Sequence, residues 1–329
     1  MGKNILFTGV AFFSALSVTQ ISLEAQSPSK ADFDRNVFQQ VRPASGSASG
    51  IQSYGAGGSQ SESGTQRVIV KKESPLSFES GLNLNVFYRT NPLMVDGGLS
   101  KFKTKAYEIS AFGSVSVGNH EVLGGVFTPR VGYSVQNLSL SNAKLDFAEY
   151  YTQRVIIAGD LQYDNLLSIT TALESASITG TKYKTEDYRE LYPNLTIAKA
   201  FLLDERSSLR AAYNFGYRFT GGVIAGPSLQ VNRFNNWNNS VSLAYTRQLP
   251  LGLVGQGFAE VANRAFTVSS GTNDGRTDWM RTVGGSLSYT WKMLRAAAYA
   301  TYSDRKSNDG LSDFTNLDIG FNLGATVGF

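Results

Sequence analysis

The chain has 329 residues, with 30 Lys and Arg against 26 Asp and Glu for a formal charge of +4, one His and no Cys. The missing Cys excludes disulfides, thiolate metal sites, cysteine nucleophiles and cysteine-linked lipid anchors. The small positive balance, scattered among acidic neighbours, excludes the basic stripe of a nucleic-acid surface.

At the N-terminus, Lys3 precedes an apolar stretch from Ile5 to Val18 that Thr8, Gly9, Ser14 and Ser17 dilute. A charged start and a short apolar run form an export signal, and cleavage is expected after Ala25, giving a signal peptide over residues 1–25. The run is too short and polar for a membrane helix; its competing reading is a buried helix of a soluble protein. Residues 26–75 form a Gly/Ser-rich arm, whose core from Ser45 to Gly64 has too few apolar positions to offset its ordering entropy. A flexible periplasmic arm is therefore expected. Val68, Ile69 and Val70 are either an accidental β-prone triplet or a docking strand, and Pro75 separates them from the alternating region that starts at Leu76.

From Leu76 to Phe329 the chain repeats one device, about ten alternating residues and then a break. The first strand sets Phe78, Ser80, Leu82, Leu84, Val86 and Tyr88 against Glu79, Asn83, Asn85 and Arg89. Further apolar rows are Tyr107 to Val117, Val131 to Val135, Val155 to Tyr163, Leu167 to Leu173, Leu191 to Phe201, Leu209 to Phe219, Val241 to Tyr245 and Val283 to Trp291. The last is Leu317, Ile319, Phe321, Leu323, Ala325, Val327 and Phe329. Two stretches, Leu253 to Ala265 and Met293 to Ser303, alternate weakly because small residues fill both faces. Twelve strands result. Breaks near Asn119-His120, Asp164-Asn165, Asp204-Glu205, Pro250-Leu251 and Lys292 are short. Those at Asn91 to Ser100, Gln136 to Asp146, Gly180 to Arg189, Gly221 to Asn236, Thr267 to Asp278 and Asp304 to Asp313 are long and polar.

An all-β, single-chain antiparallel transmembrane β-barrel of twelve strands explains the even count, the turn and loop asymmetry and the aromatic strand ends. A soluble β-sandwich is the competing architecture, since it too alternates. The pattern resembles the bacterial outer-membrane β-barrel superfamily, most sharply in the closing row that ends on Phe329. That resemblance implies an outer-membrane location, a porin-like class and a terminal aromatic read by the barrel-assembly machinery. Outer-membrane lipid, lipopolysaccharide and a periplasmic partner for the arm complete the expected contacts. No cofactor or metal is expected.

Catalysis has little to stand on. His120 falls in a short turn beside Asn119 and Glu121, without a serine and carboxylate spaced to form a triad. Glu186, Asp187, Asp309 and Asp313 could hold calcium, although loop carboxylates more often face solvent. No enzyme is expected. The predicted inward row carries Glu79, Arg89, Glu108, Arg130, Arg154, Asp160, Glu174, Arg210, Arg218, Glu260, Arg264 and Asp318, a mixture of signs that either lines a small aqueous pore or knits the lumen shut. In the loops, Tyr183, Tyr188, Phe234, Trp237, Trp279 and Phe314, with the amides of Asn232, Asn235, Asn236, Asn238 and Asn239, could form a binding surface or belt the membrane interface. The leading expectation is a passive channel for ions or small polar solutes, with a non-conducting structural or interaction barrel as the alternative.

Overall fold

A computed structural model describes residues 76–92, 103–163, 167–180, 186–221, 234–268, 273–309 and 312–328. The signal segment, the arm with its Val68 to Val70 triplet, Tyr183, Asn232 and the terminal Phe329 lie outside the described residues. Thirteen strands are present among the described residues: β1 (Leu76–Arg89), β2 (Thr104–Val117), β3 (His120–Val122), β4 (Gly125–Leu140), β5 (Tyr150–Tyr163), β6 (Leu167–Gly180) and β7 (Glu186–Asp204) lead the chain. After them come β8 (Ser207–Gly221), β9 (Asn236–Gln248), β10 (Leu253–Phe266), β11 (Thr277–Trp291), β12 (Leu294–Ser307) and β13 (Phe314–Gly328).

Twelve of these are wall strands. The three-residue β3 only folds back on the start of β4, and β2 pairs with β4 beyond it. Every wall strand is antiparallel to its chain neighbours, and β1 pairs with β13 from Glu79↔Gly328 to Arg89↔Asp318, which closes the sheet. Closure leaves no open edge to attract another strand.

Side chains alternate across the wall. On β1, Leu82, Leu84, Val86 and Tyr88 are exposed on the outer surface, while Asn85, Phe87 and Arg89 are buried inside. The same parity runs through β13, where Ile319, Phe321 and Leu323 face out and Asn316, Asp318 and Asn322 face in. A soluble sandwich would hide its apolar rows against a second sheet; here they form the exterior of a closed one.

Glycines on the inner wall make room for rings from the next strand. A Cβ at Gly284 would lie 2.6 Å from the Phe258 ring, and one at Gly216 would lie 2.6 Å from the Tyr192 ring. The short turns depend on a different backbone property. Leu251 and Gly252 between β9 and β10, and Lys292 between β11 and β12, take positive φ, as tight hairpin links require.

Several expected boundaries move, and β7 already starts at Glu186 inside the Gly180 to Arg189 break. The Gln136 to Asp146 break begins later, because β4 continues to Leu140 and only then enters a 3-10 turn at Ala143–Ala148. Past Val135 the apolar residues shift to the even positions Leu138 and Leu140, so the strand persists with its grease turned inward. Likewise β12 runs through Ser307, into the segment read as a loop from Asp304. The weakly alternating stretches are regular strands, β10 and β12. Their outward rows are Gly255, Gly257 and Ala259, and Ala296, Ala298 and Ala300, which mute the apolar signal without breaking the pairing.

Candidate functional site in the barrel lumen

The inner wall divides along its length. Towards the loop end, Arg89 of β1 grips Asp318 of β13 with a fork: Nε donates to Oδ1 at 3.0 Å and Nη2 to Oδ2 at 2.8 Å. Both side chains are 0% exposed. Asn316 Nδ2 donates to the same carboxylate at 2.9 Å. Lower on the same wall, Asn85 Nδ2 donates to Glu108 Oε1 at 2.9 Å, and Asn322 donates to Asn85. On another stretch of the wall, Arg218 lies 3.5 Å from Glu190 and 4.3 Å over the ring of Tyr192. That tyrosine donates its hydroxyl to Asn214 at 2.8 Å, and Asn214 in turn donates to Thr196 at 2.8 Å.

An apolar collar accompanies these pairs. Phe87, Ala106, Leu138, Leu140, Tyr150 and Ile178 project from β1, β2, β4, β5 and β6, and Phe258 and Tyr299 continue it on β10 and β12. Leu145 and Ala148 from the 3-10 turn after β4 pack with them, so that loop bends over the lumen instead of standing away from it. All are buried. Buried side chains on an inner wall mean that the lumen at this level is filled.

The turn end differs. Arg130 and Asp160 approach to 3.4 Å but stay 30% and 32% exposed, with Thr170 donating to Asp160 at 2.6 Å. Glu79, Asn83, Ser114, Gln256 and Ser286 are half-buried, and Arg210 is exposed. Arg154 and Glu174 stand between the regimes, 3.9 Å apart and 11% and 12% exposed. Glu260 is buried midway along β10 and Arg264 near its loop end. The twelve inward candidates thus share the inner wall, and those that pair do so locally along its length.

Sequence reasoning missed Glu190, Arg276, Asp278 and Arg305. Arg276 clasps Asp278 through bonds of 2.8 and 2.7 Å, and Arg305 donates to the Ser312 carbonyl while covering the Phe314 ring at 4.6 Å. Phe314 is consequently an inward, buried residue and not part of an outer surface. Phe234 packs against the collar, and Asn236 and Asn238 are also buried inside. Trp237 and Trp279 do face out. Trp237 stacks on Phe215 at 5.2 Å and meets Tyr217 edge-on at 4.7 Å.

Asp309 and Asp313 bind their own loop, through Ser312 at 3.0 Å, and through Lys306 at 2.8 Å and the Ser307 amide at 2.7 Å. Burial raises the proton affinity of Asp313, but the bonds from Lys306 and Ser307 outweigh it and hold the carboxyl below its usual range. His120 is exposed at the start of β3, paired with Phe127, with Nε2 3.2 Å from the Val117 carbonyl. Among the described residues no group of three or more His, Cys, Asp or Glu is placed to hold a metal.

A polar, charged interior inside an apolar exterior inverts the soluble pattern and matches a bilayer-spanning sheet. The chain folds as a closed transmembrane β-barrel of the outer-membrane type. The even number of wall strands brings Leu76 and Gly328 to the same, turn end, and in barrels of this type short turns face the periplasm and long loops the exterior. Aromatics mark both water interfaces: Tyr245, Tyr289 and Trp291 at the periplasmic side, and Tyr217, Trp237 and Trp279 at the outer side.

No family model matches this barrel, and no curated protein does. Among solved structures, the NanC porin is similar at 8% identity, with 74% of this chain and 98% of that one covered and a TM-score of 0.43. The KdgM porin in complex with disordered oligogalacturonate gives 12%, 74%, 97% and 0.39. The translocator domain of the autotransporter NalP from Neisseria meningitidis gives 9%, 78%, 90% and 0.40. Superpositions this loose carry no argument, and the barrel assignment stands on its own ladder and polarity.

Proposed function

We propose that the protein is a non-enzymatic interaction barrel, closed in the described state, that engages other components of the envelope. The fully buried Arg89–Asp318 fork inside the apolar collar carries this reading. An ion crossing that level would have to displace dry, paired side chains, and parting a buried ion pair strands a charge without water. Purified full-length protein, with its fold confirmed by heat-modifiable gel migration, should stay electrically silent in repeated bilayer insertions. Reproducible conductance steps from the native chain would reject closure.

The periplasmic half favours a second reading, a small diffusion channel for ions or small polar solutes. There Arg130 and Asp160 keep roughly a third of their surface, and Arg210 is exposed with no ion pair among the described residues. A channel would shift towards cations on Arg210→Gln, because one fixed positive charge leaves the wet wall. Arg218 is a poorer probe. Its loss would leave the buried Glu190 without its 3.5 Å neighbour and confuse selectivity with stability.

A further inference from the structure

The outward rows of β1, β4, β5, β6, β8, β10 and β13 carry no charged residue among those described. Lys105 on β2, Arg189 and Lys199 on β7 and Arg247 on β9 also face outward, each across from uncharged residues, and among the described residues only β11 and β12 set opposite charges in register on the outward face. Arg281 lies four residues in from the outer end of β11, below Trp279, and Asp304 lies three residues in from the outer end of β12. The two are in direct cross-strand register, yet no ion pair joins them. Arg281 is exposed and Asp304 half-buried, and Lys306, the next outward residue on β12, is held by Asp313 at 2.8 Å. Opposite charges side by side on a lipid-facing wall, each holding its charge available, form a self-complementary patch.

Beneath them, past the exposed Val283 and Tyr302, the wall carries a band of small residues. Gly285 on β11 is paired with Ala300 on β12 and with Gly257 on β10, and Ala298 and Ala259 flank that row. Small residues let membrane surfaces approach closely, which is where packing between transmembrane proteins gains most. Neither feature suffices alone; together they fit one occupant. We propose that this wall is the contact surface for a second copy of the chain, related by a two-fold axis along the membrane normal between β11 and β12.

Both copies must enter the membrane in one orientation, so only an axis along the normal is available to an isologous pair. Such an axis sets Arg281 of each copy against Asp304 of the other and makes both contacts at once. Gly285, Ala298 and Ala300 of the two copies then meet below them. A lipopolysaccharide phosphate would satisfy Arg281 but would face Asp304 as a like charge, so the second copy fits the patch better. The inference is independent of whether the lumen conducts.

The chain has no Cys, so single substitutions report without background. Ala300→Cys, treated in native membranes with a short thiol-specific cross-linker, should yield a dimer. Ile157→Cys on β5, on the far side of the barrel, should remain monomeric. Adding Arg281→Asp to Ala300→Cys should lower the dimer yield at least tenfold, and further adding Asp304→Arg should restore it. Heat-modifiable migration checks folding in each case, and Arg281→Met replaces Arg281→Asp if the latter does not assemble. A folded Ala300→Cys protein that never cross-links, or a dimer indifferent to both Arg281 substitutions, overturns the proposal. Loss of co-purifying lipopolysaccharide on Arg281→Met, with no dimer at any position, assigns the arginine to lipid instead.

Discussion

The two halves of this lumen hold similar residues in different media. At the outer end Arg89 and Asp318 are sealed from solvent beside phenylalanine and leucine; at the periplasmic end Arg130 and Asp160 make a looser pair in contact with water. The chemistry of the partners is the same, and the surroundings set the consequence. Desolvation makes the outer fork costly to break, whereas hydration screens the lower pair until it contributes little.

That contrast breaks most sharply at Asp318. Asp318→Ala leaves the Arg89 guanidinium buried opposite an apolar stub and should cost about 3–5 kcal/mol, while Asp160→Ala should cost less than about 1 kcal/mol. Urea unfolding in liposomes measures both, and equal losses would erase the distinction between the halves. The wall itself should respond next. Tyr213→Arg puts a charge into lipid at a cost of about 2–4 kcal/mol near the midplane. Asn214→Ala, on the inner side of the same strand, removes bonds to Tyr192 and Thr196 and should cost about 1–2 kcal/mol. The reverse ranking would mean that the faces are exchanged.

A smaller effect tests the packing of the filled half. At Gly284 an added methyl would meet the Phe258 ring at 2.6 Å and the Ala300 carbonyl at 2.8 Å, so Gly284→Ala should cost about 1–3 kcal/mol. Gly257→Ala meets nothing within 4 Å and should be neutral in the same unfolding experiment. The smallest effect belongs to the outer loop. Asp313 has a lowered proton affinity in the fold, so its contribution is complete above the ordinary carboxylate range and is lost as pH falls through the lowered value. Amide exchange at Ser307, corrected for intrinsic rate, should accelerate on that descent; a flat protection factor would show that the Asp313 bond holds nothing.

Strand count and face assignment were legible because period-two alternation is a local property, written within each ten-residue stretch. The inward charges could be named for the same reason. Their partners could not, since Arg89 and Asp318 are joined by closure of the sheet and not by proximity in the chain. The collar was hidden by a different cause. Leu138 and Leu140 have the wrong parity for lipid, and without a register they look like residues of a polar loop. Phe314 was misplaced because an aromatic at a strand end serves equally well in a belt or under an arginine, and only the Arg305 contact decides between them.

The seam between β1 and β13 also fixes an order of events. Its fork joins residues 229 positions apart, so it cannot exist until nearly the whole chain has been synthesised and exported. Hairpins such as β11 with β12 can form early from neighbouring segments, but this clasp must come last, after the slowest search. Protection of the Arg89 and Asp318 amides therefore acts as a timestamp for completed assembly. A stalled barrel would have its hairpins in place and this seam still open.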